Sequence, residues 1–187
     1  MKNILLSIFI LFFYGCSTHQ IKSEVKNSET EQICEGSTEL PNHIASKFEQ
    51  IEDAVLLDEA LGTPEKGKLC QGQAYISKES SDIIIFRAWN STNENSKFGK
   101  WWAFSKPTGS VSTYRSQYEI CYQWSPLDKL VSCTLIPNTK VVVGNGQSAK
   151  CSDYLTYGVS DTQQIYIEDA SSSLTNCRVF DGVFSWK

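Results

Sequence analysis

Asp82-Ile83-Ile84-Ile85-Phe86-Arg87-Ala88-Trp89 is the stretch on which the fold turns. Its isoleucines and aromatics favour extended chain, because β-branched and aromatic side chains fit a pleated, half-buried surface. Asn90 to Ser96 behind it is turn chemistry. Moving outward, Trp101 to Phe104 reads as a second short strand, and Pro107 and Gly109 then break the chain. Val111, Tyr114, Tyr118 and Cys121 recur at helical spacing, which predicts a helix over Ser110 to Ile120. Leu130 to Ile136 and Lys140 to Val143 read as strands separated by Pro137-Asn138, with Gly144-Asn145-Gly146 as a loop. Gln164 to Ile167 is a further strand. Cys177 to Phe180 and Val183 to Trp186 flank Asp181-Gly182, a favourable hairpin turn.

On the other side of the run, Asn42 to Leu61 predicts an amphipathic helix. Ile44, Phe48, Ile51 and Val55 recur at its period and Leu56 widens the stripe. Asn42 stands at its start, and Gly62 with Pro64 ends it. The expected fold class is therefore α+β: a mostly antiparallel sheet or sheets with an N-terminal amphipathic helix, forming one globular domain over residues 34–187 and fastened by disulfides.

The first residues carry a different signal. Lys2 is followed by an apolar run from Ile4 to Phe13, broken only by Ser7, and then by Gly15-Cys16. This is the pattern of a secretory signal peptide over residues 1–15. The run is too short to span a bilayer, which takes about 20 apolar residues. Leu11-Phe12-Phe13-Tyr14-Gly15-Cys16 resembles a bacterial lipoprotein box, although Phe13 and Tyr14 are bulkier than its usual occupants. The resemblance implies lipidation of Cys16, a membrane anchor, and a place in the cell envelope, as an outer-membrane lipoprotein or at the cell surface. Ser17 to Glu31 is polar and lacks aromatics, so residues 16–33 read as the lipidated cysteine and a flexible tether.

The cysteine count agrees with export. The chain has 7 cysteines. With Cys16 lipidated, Cys34, Cys70, Cys121, Cys133, Cys151 and Cys177 remain, an even set for three disulfides in an oxidising compartment. Six cysteines allow many connectivities. Sequence neighbours, Cys121 with Cys133 and Cys151 with Cys177, close the shortest loops at least entropic cost. No Cys-x-x-Cys pair is present, which argues against a zinc site, and no metal is expected.

Composition and motifs exclude much chemistry. The chain is 41% hydrophobic and 20% charged, with a net charge of −4, and has no basic stripe for nucleic acid. Its histidines, His19 and His43, both precede the β-rich region, so a serine or cysteine triad has no base there. Phosphate-cradling glycine loops are absent. The carboxylates Glu119, Asp128, Asp161, Glu168 and Asp169 show no diagnostic spacing and read as solvated surface charges.

The ordered pieces from Ile83 to Ile167 resemble toxin domains of the ADP-ribosyltransferase-like fold. Ile85-Phe86-Arg87 is similar to their first strand, and Gly99-Lys100-Trp101-Trp102-Ala103-Phe104-Ser105 to their aromatic-plus-hydroxyl second strand. Tyr114-Arg115 resembles the helix that follows. Val131 to Ile136 with Lys140 to Gly144 resembles their paired middle strands, and Gln164-Ile165-Tyr166-Ile167 their closing strand. The resemblance implies action on NAD, as substrate rather than cofactor, by glycohydrolysis or ADP-ribosyl transfer. It implies catalytic roles for Arg87 and Gln164: a guanidinium fork for the pyrophosphate, and an amide that steadies the oxocarbenium-like ribose. Trp102, Ser105 and Tyr114 would bind substrate, with Trp102 stacked on the nicotinamide and Ser105 on the ribose. The closing strand carries Gln164-x-Tyr166 where transferases carry Glu-x-Glu, which points to NAD hydrolysis or an inactive fold.

The alternative belongs to another class. The 5 Trp, 8 Tyr and 9 Phe are many for this length. Exposed aromatics stack on sugars and anchor protein interfaces. A non-enzymatic surface lipoprotein binding glycan or protein would use Trp89, Trp101, Trp124 and Trp186.

Overall fold

The computed structural model describes residues 33–79 and 82–180, which lie in a unit running from Gln32 to Lys187. The export signal, Cys16, His19, the tether, the second strand of the C-terminal hairpin and Trp186 lie outside the described residues.

The single helix expected over Asn42 to Leu61 is replaced by α1 (Asn42–Ala45), β1 (Phe48–Gln50) and α2 (Ala54–Ala60). Phe48 to Gln50 pairs antiparallel with Ser77 to Tyr75 at a sheet edge. This extension sends Phe48 into the core, its ring edge-on to Tyr75 and Phe104 at 6.3 and 6.1 Å. Asp53 then starts α2 by accepting the Leu56 N–H at 3.1 Å. Val55, counted in the apolar stripe, faces solvent. Spacings of three and four residues suit two short turns joined by a strand as well as one helix, and sheet pairing decides between them.

β2 (Leu69–Ser77), β3 (Ile84–Trp89) and β4 (Trp101–Trp102) follow, with a single 3₁₀ turn at Glu94–Phe98 between the last two. Then come α3 (Val111–Gln117), β5 (Lys129–Leu135), β6 (Lys140–Gly146), β7 (Ala149–Ser152), β8 (Leu155–Tyr157), β9 (Gln163–Tyr166), α4 (Ala170–Ser173) and β10 (Leu174–Phe180). The strands form a five-stranded sheet in the order β1-β2-β6-β9-β4, a three-stranded sheet β10-β5-β3, and a β7-β8 pair. Every strand pair among the described residues is antiparallel. The architecture is thus α+β with antiparallel sheets and three disulfides. Among the described residues no helix is long and apolar enough to cross a membrane.

The main core lies between the two larger sheets. Val141, Val143 and Ile165 from one meet Ile85, Val131 and Cys133 from the other. On the opposite face of the five-stranded sheet, Leu56 and Ala60 of α2 pack on Ala74, Val142 and Tyr166. Both faces of β6 are covered, which is why it reads as an unbroken Val-Val-Val run rather than an alternation.

Two expectations about the middle strands are corrected. β5 and β6 are consecutive but do not pair, because the Pro137-Asn138 link carries the chain from one sheet to the other. Asn138 takes a left-handed φ of 60°, and Ser77 clamps the link, donating to the Ile136 carbonyl and accepting from the Thr139 N–H, each at 3.0 Å. Gly144 to Gly146, expected as a loop, is the end of β6. A Cβ at Gly144 would stand 1.9 Å from the Gln71 carbonyl oxygen, so glycine here permits close strand approach.

The disulfides are Cys34–Cys70, Cys121–Cys151 and Cys133–Cys177. They replace the pairing of sequence neighbours. Cys133 lies on β5 opposite an irregularity between Thr175 and Arg178 of β10, which places Cys177 beside it. Cys121, just after α3, packs with Cys151 of β7. Sheet register overrides loop length.

Candidate functional site

One cavity of about 180 Å³ opens where α3 and the loop after it meet the rims of the two larger sheets. Arg87 of β3, Trp102 of β4, Tyr114 of α3 and Gln164 of β9 all line it. Ser105 does not. It is exposed and borders a different surface groove, because β4 is only two residues long and the chain has left the sheet by Phe104.

Arg87 reaches away from its strand into the loop before β4. Its Nε donates to the Ser96 carbonyl at 2.8 Å and its Nη1 to the Trp101 carbonyl at 2.7 Å. Gly99 makes this possible: a Cβ there would stand 2.3 Å from Nη2. Burial pulls the guanidinium down to about 10, so it stays cationic at neutral pH. Among the described residues no carboxylate pairs with it. The full fork expected for a pyrophosphate is therefore not free, since Arg87 spends donors holding its own loop.

Trp102 is 2% exposed and donates its indole N–H to the Gly99 carbonyl at 2.7 Å. It belongs to the core between the sheets and offers the cavity a fixed wall rather than a free stacking face. Tyr114 is buried, its hydroxyl hydrogen-bonded by the Ala88 backbone, and burial pushes its phenol up. Tyr118 stacks near it, ring centroids 4.4 Å apart, and burial pushes that phenol up to about 12. Both tyrosines are neutral donors or acceptors at physiological pH.

Glu119 departs most from expectation. Read from the sequence as a solvated charge, it is 2% exposed. It follows α3 at a left-handed φ of 48°, a strained position for a residue with a side chain. That turn sends the carboxyl inward, where Oε2 accepts from Gln164 Nε2 at 2.8 Å. Oε1 is buried without a hydrogen-bond partner among the described residues. The nearby Ser160 hydroxyl spends its proton on the Gln117 carbonyl at 2.7 Å. Burial holds the Glu119 carboxyl up at about 8, against the opposing pull of the Gln164 amide. Glu119 is thus mainly the neutral acid at pH 7.

Gly146, at the end of β6, makes room for this pair. A Cβ there would lie 1.6 Å from Glu119 Oε2 and 2.7 Å from Gln164 Nε2. Neither Glu119 nor Gly146 is marked as a site residue by spacing or motif; only their approach in the fold reveals them. The other carboxylates are structural or exposed: Asp128 accepts from Ser91, and Asp169 caps α4. Lys68 and the half-exposed Trp124 stand elsewhere on the cavity lining. The site therefore combines a half-buried cation, neutral hydrogen-bonding groups and aromatic walls. Such a lining suits a flat, polar ring attached to an anionic group.

No family model matches the chain, and no curated relative matches it. A solved chain from a structure of Tne2 in complex with Tni2 is similar at a TM-score of 0.43 and 14% identity, over 65% of this chain and 97% of that chain.

Proposed function

We propose that this domain cleaves NAD as a glycohydrolase on an ADP-ribosyltransferase-like fold. The observation that carries the reading is the convergence of Arg87 and Gln164, from two different sheets, on one aromatic-walled cavity. Its volume of about 180 Å³ is below the roughly 300–1,000 Å³ of pockets that enclose a drug-sized ligand. That holds the nicotinamide ring and its amide but not a dinucleotide, so the rest of NAD lies across the open mouth. In the reaction the ribose C1′–N bond breaks and its electron pair goes to the ring nitrogen, releasing neutral nicotinamide. Water forms the new C1′–O bond and gives its proton to solvent. The Gln164 amide faces the ribose as it gains oxocarbenium character, where a fixed dipole lowers the barrier. Arg87 supplies positive potential and the donors left over from Ser96 and Trp101. Hydrolysis is favoured over transfer because the closing strand offers Gln164 and Tyr166 and no carboxylate to activate an acceptor. Purified oxidised protein should release nicotinamide from NAD, and Gln164→Ala should lower kcat with little change in KM. A wild-type protein that neither binds nor cleaves NAD removes the reading.

A non-enzymatic surface that binds glycan or protein is supported by Tyr122, Trp124 and Tyr154, which are 58%, 52% and 99% exposed. Trp89 is buried and Trp101 packs against Tyr166, so neither serves that role.

The envelope lipoprotein reading stands beside both. Three disulfides fit an oxidising compartment. Intact mass of membrane-extracted protein should show a chain starting at a lipidated Cys16. A retained signal or an unmodified Cys16 would count against it.

A further inference from the structure

We infer that Glu119 is the positioning residue of this site: by engaging the nitrogen of the Gln164 amide, it turns the Gln164 carbonyl oxygen toward the cavity. A side-chain amide is nearly symmetric in shape, and a free glutamine can present either end. Here one end is taken. Gln164 Nε2 donates to Glu119 Oε2 at 2.8 Å, with both side chains buried. The amide oxygen is the end that Glu119 leaves unengaged, on a side chain that lines the cavity. On the glycohydrolase reading, on which this role rests, that oxygen accepts a hydrogen bond from a ribose hydroxyl. The negative end of the dipole then faces the carbon that becomes positive as nicotinamide leaves, and the opposite orientation would place N–H groups there instead.

Three further features support the assignment. Glu119 is turned inward by a left-handed backbone, which costs energy that an exposed glutamate would not incur. Its Oε1 is buried with no partner among the described residues, so the carboxyl is not placed to satisfy its own hydrogen bonds. Gly146 clears the volume in which Glu119 and Gln164 meet. A residue that serves only as core filling needs none of these.

Ionisation of Glu119 should leave a signature at Gln164. Among the described residues the titratable groups sharing the cavity are Lys68, Arg87, Tyr114 and Tyr118, and the residues of β6 and β9 that touch Glu119, Gly146 and Gln164, are uncharged. Arg87, at about 10, and Tyr118, at about 12, change charge above the pH at which Glu119 does, and Tyr114 is raised as well.

The test uses the oxidised protein and its Glu119→Gln and Glu119→Ala variants. NMR should show the Gln164 side-chain amide signals shifting as pH passes through about 8 in wild type, and not in Glu119→Gln. With NAD, Glu119→Ala should lose kcat by roughly 100-fold with KM changed little, the low end of what loss of one preorganised dipole costs. Glu119→Gln, which can still accept from Gln164, should recover most of that loss. Amide signals that ignore pH in wild type, or a Glu119→Ala protein with undiminished kcat, overturn the role. So does a Glu119→Gln protein that is folded yet as slow as Glu119→Ala. If wild type cleaves no NAD, the glycohydrolase reading falls, while the NMR titration still decides whether Glu119 holds the amide.

Discussion

Glu119 and Gln164 stand 45 residues apart in sequence and meet through one buried hydrogen bond of 2.8 Å. The contact joins the loop after α3 to the closing strand of the five-stranded sheet. A carboxyl that is neutral near pH 7 thereby borders a cavity that a half-buried arginine also lines.

The first consequence is for stability. Burial raises the Glu119 carboxyl from the ordinary 4.5 to about 8 in the folded protein. Between those values the folded state keeps a proton that the unfolded chain has released, so stability falls as pH rises through that window. Glu119→Gln removes the group that must ionise. The variant should match wild type near pH 4.5 and exceed it at pH 7 by on the order of 3 kcal/mol, at about 1.4 kcal/mol per unit. Urea unfolding at several pH values, with disulfides intact, checks this. Parallel curves for the two proteins would contradict it.

Arg87 is held by its own loop. Arg87→Ala strands the carbonyls of Ser96 and Trp101. The expected loss is about 2 kcal/mol, since hydrogen bonds made by a charged group are worth about 1.5–3 kcal/mol and these carbonyls are part-buried. Arg87→Lys keeps the charge but cannot reach both carbonyls with a planar fork. It should recover only part of the stability in thermal unfolding. Full recovery would mean that charge, rather than the paired carbonyls, is what the position needs.

Gly146→Ala places a methyl where Glu119 Oε2 lies. Overpacking of this kind costs about 1–3 kcal/mol. Gly158→Ala is the matching control, since a Cβ there meets nothing within 4 Å. The first substitution should lower both the melting temperature and any nicotinamide release, and the second should change neither. Equal melting temperatures for the two would show that the Glu119 pocket can relax.

The disulfide map is checkable by peptide mapping without reduction. It should return Cys34–Cys70, Cys121–Cys151 and Cys133–Cys177. Removing any one bridge by paired Cys→Ala substitution should cost about 2–5 kcal/mol. Recovery of a Cys121–Cys133 peptide would contradict the sheet register described here.

What local chemistry dictates is legible in the chain. The β-branched run from Ile83 to Trp89 makes β3, and the 3- and 4-residue spacing from Val111 makes α3, with Ser110 accepting the Thr113 N–H at its start. The Val141 to Val143 run marks a strand covered on both faces. Arg87 and Gln164 are visible as a charged and an amide side chain on such strands. β2 is not legible, because Gln71, Gly72 and Gln73 interrupt any alternation and its ladder with β6 holds it extended. The Asn42 to Leu61 spacing serves a helix and a helix–strand–helix equally, and only pairing with β2 separates them.

The disulfide pattern, the parting of β5 and β6 into different sheets, and the burial of Glu119 were decided by tertiary structure alone. Each depends on groups far apart in sequence being brought together. Glutamate is by its own chemistry a surface residue, ionised above about pH 5. The enclosure made by Gly146, Gln164 and the tyrosines of α3 and its C-terminal end removes its water and turns it into a neutral acid. Sequence determines which side chains are available and which segments extend or coil. Desolvation and partnership, which set their chemistry, exist only once the sheets have packed.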